Sequence, residues 1–224
     1  MIQVVTTSIP FSKEELEGDI NKVVGFAHTV QVDISDGIFT KVLTWPYNGK
    51  DQDFFESLKV EGAGWPHWQE VDIELHLMVV NSEEVVDEWL KTGVSSVVAH
   101  IEASNDFQKV IDACREANVS VGIALKPSTQ IEKIAPFVSK VDFIQCMGSD
   151  LLGEHGVELE DKALERIKEL RIKYPEVIIG VDIGVNTETA ETLVSAGANK
   201  LISGSAILNS ANPKEVFEYF QSLG

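Results

Sequence analysis

Gln31-Val-Asp-Ile-Ser-Asp-Gly37 and Leu75-His76-Leu77-Met78 are two apolar runs that close on polar groups. A carboxylate or an imidazole at the end of a buried strand costs burial energy unless it is partnered or has work to do. Gly180-Val-Asp-Ile-Gly184 repeats the pattern far downstream. Three separate strand ends therefore offer Asp33, His76 and Asp182. A parallel barrel assembles its active site in this way, from the C-terminal ends of several strands.

Working outward, eight apolar runs are spaced along the chain: Ile2–Thr6, His28–Ile34, Val71–Met78, Ser95–Ile101, Val119–Leu125, Val141–Met147, Val177–Asp182 and Asn199–Ser203. They are rich in Val and Ile and mostly unbroken, as strands covered on both faces should be. Charged, amphipathic stretches separate them. Ser12–Glu15 and Asn81–Glu84 read as capping boxes or near variants. Asn186–Thr189 offers a cap residue and an early acid, and Leu159–Ile172 reads as a long amphipathic helix. Eight strands alternating with helices over 224 residues predict a single α/β domain, a closed (β/α)8 TIM barrel spanning 1–224. One segment, 39–69, breaks the pattern with only a weak helix near Asp51–Val60, and holds Trp45, Trp65 and Trp68. These aromatics either cover the barrel or form a lid or subunit contact, so a homo-oligomer is one expectation.

Composition narrows the function classes. The 44% hydrophobic content suffices for a sizeable core, and no apolar run is long enough to span a membrane. The start, Met1-Ile-Gln-Val-Val-Thr, lacks the charged and apolar regions of a signal peptide. The two cysteines, Cys114 and Cys146, make no disulfide framework, so a cytoplasmic protein is expected. A net charge of −18 disfavours nucleic acid and anionic membranes as partners.

Strand side chains alternate faces, so Gln31 and Asp33 point the same way, as do Glu74, His76 and Met78. His28 falls on the opposite face from Gln31. Two acids on well-separated strands suit proton removal from one face of a planar enediolate and delivery to the other. Either acid alone is better read as a helix cap or as the partner of a lysine. The three residues together favour a functional site.

The chain resembles the ribulose-phosphate 3-epimerase family of phosphate-binding (β/α)8 barrels. QVDISDG resembles the family's HVDxMDG, LHLMV its HLMV and VVAHIEA its HxEA, and VDIGVNTETAETLVSAGANKLISGSAI resembles its VDGGV…AGAxxxVAGSAI ending. The resemblance implies metal-assisted epimerisation at C3 of a ketopentose phosphate, ribulose 5-phosphate to xylulose 5-phosphate. Asp33 and Asp182 would be the acid–base pair and also ligands of a divalent metal ion (Zn, Mn, Fe or Mg). His76 would be a third ligand. Gln31 stands where the family has a second His, and its amide oxygen is a harder and weaker ligand than imidazole. The site is then shifted towards Mg or Mn, weakened, or empty.

Further departures bear on the substrate. The resemblance implies substrate contacts from Met78 and Met147, from Gly184, Gly204 and Ser205 at the phosphate, and from Ser8, with Thr7 as the neighbouring choice of register. Ser35 replaces a methionine. Leu152–Gly156 replaces the family's PGFGGQ loop, with Glu154 adding negative charge and His155 beside it, and Ile183 replaces a glycine. Gly184, Gly204 and Ser205 are expected to form an N–H nest facing a helix that starts near Asn212. His100 and Glu102 read as supporting hydrogen-bond partners, and Lys126 as a solvated or site-facing cation. The alternatives are a divergent isomerase or lyase of the same superfamily acting on another sugar, or a catalytically silent paralogue that binds a metabolite or a partner.

Overall fold

The strand runs bury their length because both faces are covered. In the computed structural model, which describes residues 2–60, 64–153 and 156–224, all eight form parallel strands. They are β1 (Gln3–Ser8), β2 (Thr29–Ser35), β3 (Asp72–Met78), β4 (Ser96–His100), β5 (Ser120–Leu125), β6 (Phe143–Met147), β7 (Ile178–Asp182) and β8 (Lys200–Ser203). Each pairs with its neighbour in sequence, and β1 pairs with β8, which closes the barrel. Closure pairs both edges of each of these eight strands. Met1, Glu154 and His155 lie outside the described residues, and the expectations placed on them lie outside with them.

The outer layer is α1 (Lys13–Val23), α2 (Gln52–Leu58), α3 (Ser82–Leu90), α4 (Phe107–Glu116), α5 (Asp161–Lys173), α6 (Ala190–Ala196), α7 (Ser205–Leu208) and α8 (Pro213–Gln221). The Ser12 hydroxyl accepts from the Glu15 N–H, as the sequence predicts for a cap. At Asn81 the expectation fails. This residue takes a left-handed conformation and makes no side-chain cap, and its amide oxygen accepts from Asn105 Nδ2 instead. Asn186 Oδ1 accepts from the N–H groups of Glu188 and Thr189, just ahead of α6. Between β5 and β6 the expected helix shrinks to a 3₁₀ turn, Ile131–Lys133. Pro127 and Pro136 bracket this stretch, and each lacks the N–H that a helix interior needs.

The main core lies between the strands and the helices, where apolar strand residues such as Val32, Leu75, Val97, Ile144 and Val181 meet Leu16, Trp89, Ile167 and Phe220. The 39–69 excursion joins this core. Trp45 and Trp65 are buried and stack edge-on, with Trp45 also against Phe54, Phe55 and Trp89. Covering the barrel is thus the role of Trp45 and Trp65, while Trp68 is 63% exposed. Among the described residues, no helix is long and apolar enough to cross a membrane.

The barrel interior is markedly polar. At its N-terminal end Lys200 Nζ sits 2.5 Å from Glu74 Oε2 and 3.8 Å from the centre of the Phe143 ring, with both charged groups buried. A small apolar layer of Val98, Ala124 and Phe143 packs beside this end of the barrel interior. The other polar groups collect at the C-terminal mouth.

Candidate active site

Strand register brings the mouth residues together. Asp33 is level with His76 across the β2–β3 pair, and Asp182 is level with Met147 across β6–β7. Parity turns all of these inward. His76 Nδ1 lies 2.9 Å from Asp33 Oδ1 and 3.7 Å from Asp182 Oδ2. One donor atom from each of Asp33, His76 and Asp182 lies within 4.8 Å of the others, and all three residues are buried. Three strand ends thus converge on one point. The donor set of two carboxylates and an imidazole could hold a metal ion.

A chain of hydrogen bonds runs back from this point. His76 Nε2 meets His100 Nε2 at 3.0 Å, and His100 Nδ1 meets Glu102 Oε2 at 3.1 Å. Glu102 also accepts from the Lys126 N–H at 2.8 Å and from the Thr129 hydroxyl. A carboxylate can only accept, so His100 carries its proton on Nδ1. Its Nε2 must then accept, which places a proton on His76 Nε2. That assignment leaves His76 Nδ1 as the atom facing the two carboxylates, where a proton or a metal ion can compensate their charge.

The electrostatics follow from burial and partners. Burial opposes the charge on Glu102, but the hydrogen bonds from His100, Thr129 and the Lys126 N–H outweigh it and bring its pKa down to about 2. Burial takes His100 down to about 4. Burial alone would also lower His76, yet the hydrogen bond and charge of Asp33, with Asp182 and Glu74 behind, raise it. Burial and then the charge of Asp33 push Asp182 well above the usual carboxylate range. Asp33 Oδ1 meets Gln31 Nε2 at 3.0 Å and His76 Nδ1 at 2.9 Å, whereas Asp182 Oδ1 accepts from the Ile183 N–H at 2.8 Å and its Oδ2 lies 3.5 Å from Gln145 Nε2.

A cavity of about 170 Å³ opens from these groups to the surface. Asp33, Asp182, Met78, Met147, Gly184, Gly204 and Ser205 all line it. So do Gly153 and Gly156 of the rebuilt loop. Met78 and Met147 pack there with Leu152, Phe39 and Ile183, so they are both core and cavity wall. Two expectations need correction. The inward position on β1 belongs to Thr7, which lines the cavity, and not to Ser8. Ser8 faces outward and donates to Asp19 on α1 at 2.8 Å. The Gly204–Ser205 turn opens the one-turn α7, which begins at Ser205 itself, whereas the helix expected near Asn212 is α8, with Asn212 at its N-cap and Pro213 as its first residue.

The site also holds features that sequence reasoning missed. Ile183 has φ of 77°, a left-handed conformation that costs a β-branched residue about 1–3 kcal/mol. Its N–H donates to Asp182 Oδ1 at 2.8 Å. A Cβ on Gly148 would overlap the Ile183 carbonyl oxygen, so the ends of β6 and β7 press together here. Gln145, wholly buried, extends its amide towards Asp182. A polar residue two before Met147 in an apolar run was the available signal. Lys126 holds its ammonium over the Phe39 ring at 4.6 Å, next to His100. Among the described residues, no lysine or arginine lines the cavity.

A model of the ribulose-phosphate 3-epimerase family matches residues 5–208. The chain belongs to this family. A ribulose-phosphate 3-epimerase from Schizosaccharomyces pombe is 34% identical over 148 residues, 66% of this chain and 64% of that one. The cytoplasmic isoform from Oryza sativa is likewise matched over 64% of its length. The family member from Bacillus subtilis is 27% identical over 221 residues, 96% of both chains. Among solved structures, 3-hexulose-6-phosphate synthase from Salmonella typhimurium superposes with a TM-score of 0.73 at 12% identity, over 99% of this chain and 98% of that one. KGPDC from Streptococcus mutans gives 0.72 at 11% identity, over 100% and 97%. These last two likenesses establish the barrel fold.

Proposed function

We propose that this family member epimerises a ketopentose phosphate at C3, interconverting ribulose 5-phosphate and xylulose 5-phosphate. The observation that carries the reading is the unequal environment of two carboxylates in one cavity. Asp33 faces Gln31 Nε2 and His76 Nδ1, while Asp182, although it accepts from the Ile183 N–H, is pushed by burial and by the charge of Asp33 towards its protonated form. A pair of acids held in such different surroundings can act as base and acid together. In one direction Asp33 takes the C3 proton and Asp182 delivers its own to the opposite face of the planar intermediate. In the reverse direction the roles exchange.

Asp33, His76 and Asp182, with Gln31 beside them, are the residues that would hold a divalent cation, and their buried donor set fits one. When bound, that ion supplies Lewis-acid stabilisation of the oxygen that gains charge as the proton leaves. His100 and Glu102 fix the ring and the tautomer of His76, and Met78 and Met147 keep bulk water from the reacting carbon. Gly184, Gly204 and Ser205 would take the phosphate with backbone N–H groups, since the lining supplies no cationic side chain among the described residues.

Binding of ribulose 5-phosphate and of unphosphorylated ribulose, measured by calorimetry alongside turnover, tests this reading. The phosphate ester should bind at least about tenfold tighter, a difference of about 1.4 kcal/mol. Equal affinity, or no turnover of ribulose 5-phosphate by metal-supplemented protein, would overturn it.

A further inference from the structure

Two glutamines share a feature that proton transfer alone leaves unexplained. Gln31 on β2 and Gln145 on β6 are both wholly buried. Each turns its amide nitrogen to one member of the carboxylate pair. Gln31 Nε2 lies 3.0 Å from Asp33 Oδ1, and Gln145 Nε2 lies 3.5 Å from Asp182 Oδ2. Each leaves its carbonyl Oε1 buried with no hydrogen-bond partner among the described residues. A buried polar atom without a partner costs about 1–3 kcal/mol. The same arrangement occurs twice, on strands from different parts of the barrel, around one point.

The cause is the charge of the carboxylates. An amide oxygen pointed at a carboxylate oxygen is repelled, so both amides present nitrogen and strand their oxygens. The amide group is nearly symmetric in shape, and a half-turn about its last bond exchanges oxygen and nitrogen with little steric change. A cation between Asp33, His76 and Asp182 reverses the preference, because the carbonyl oxygens then face positive charge. We infer that Gln31 and Gln145 act as a pair of turnable amides. With a cation bound, both carbonyl oxygens face it, and the site selects an oxygen-preferring ion such as Mn²⁺ or Mg²⁺ over Zn²⁺.

This rests on the reading that Asp33, His76 and Asp182 hold a metal, and adds Gln145 and an ion preference to it. The donor set then contains one nitrogen and otherwise oxygens. Oxygen sets suit Mg²⁺ and Mn²⁺, whereas imidazole favours Zn²⁺.

The test is a calorimetric titration of chelator-stripped protein with Mn²⁺ and with Zn²⁺, with electron paramagnetic resonance of bound Mn²⁺ as a second readout. Gln145→Leu should weaken Mn²⁺ binding by about 10-fold or more and alter the Mn²⁺ spectrum, as loss of a supporting or ligating group does. Gln31→His should raise the ratio of Zn²⁺ to Mn²⁺ affinity by about 10-fold or more. Should Gln145→Leu fail to fold by circular dichroism, Gln145→Glu keeps an oxygen at the same place and should bind Mn²⁺ at least as tightly as the parent chain. Unchanged Mn²⁺ affinity in Gln145→Leu, or weaker binding in Gln145→Glu, overturns the amide pair and leaves the three-residue metal site standing. No binding of either ion to the parent chain overturns that site, and the amide pair with it.

Discussion

Glu102 shows how a residue can bear on a cavity it does not line. It accepts a hydrogen bond from His100 Nδ1, and through His100 it sets which nitrogen of His76 carries the proton. Its folded pKa is depressed from 4.5 to about 2. The stability it confers is therefore fully present above pH 4.5 and is lost as pH falls towards 2. Glu102→Gln should be about 2–3 kcal/mol less stable than the parent chain near neutral pH. The gap between the two should close progressively on acidification below pH 4.5, as followed by thermal melts. A gap that stayed constant across that range would remove the ionised Glu102 from the account. At this scale much of the site was legible in the sequence. Asp33, His76 and Asp182 stand out because a buried strand has no packing use for them. Gln145 was legible by the same rule and parity, yet an apolar run ending in Met147 reads equally well as core. The choice between Thr7 and Ser8 was not legible, because the two residues are equally polar and only the strand's phase separates them.

At the scale of elements, the ends of β6 and β7 are tightly joined beside the cavity. Gly148 N–H donates to the Asp182 carbonyl at 2.6 Å, and its carbonyl accepts from Glu160 N–H at 2.8 Å. The obstacle to any side chain there is the Ile183 backbone, which cannot swing aside. Gly148→Ala should lose about 3 kcal/mol or more by overpacking, read as a lower denaturant midpoint, and should displace Asp182. A stable, fully active Gly148→Ala protein would show that this junction is soft. The strands were readable in order and nearly in extent, because Val- and Ile-rich runs between charged stretches have few other destinies. The missing helix between β5 and β6 was harder to read, since each of its two prolines alone is compatible with a helix end. The start at Ser205 of α7 was hidden by its length, as four residues leave no periodicity to detect.

For the whole molecule, the barrel treats charge differently at its two ends. At the N-terminal end Lys200 and Glu74 are buried as a closed pair. Lys200→Met alone should cost about 3–5 kcal/mol because it strands Glu74, whereas Lys200→Met with Glu74→Leu should recover most of that stability. Denaturant titrations of the two variants would reveal whether the pair is a specificity device or a net stabiliser. At the C-terminal mouth the charges are left open, as two carboxylates and an imidazole facing a cavity. That asymmetry is the physical basis for placing chemistry there. The net charge of −18 bears little on it, because local donors and backbone N–H groups dominate inside a low-dielectric mouth. The most direct measurement is incorporation of solvent deuterium at C3 of the xylulose 5-phosphate formed from ribulose 5-phosphate in D₂O, with Mn²⁺ or Zn²⁺ supplied. The account predicts rapid incorporation by the parent chain, and a loss of about 10²–10⁴-fold in both Asp33→Asn and Asp182→Asn, the worth of a positioned acid or base. Folded, metal-loaded protein that leaves C3 unlabelled, or an Asp182→Asn variant that labels it at the parent rate, would contradict it.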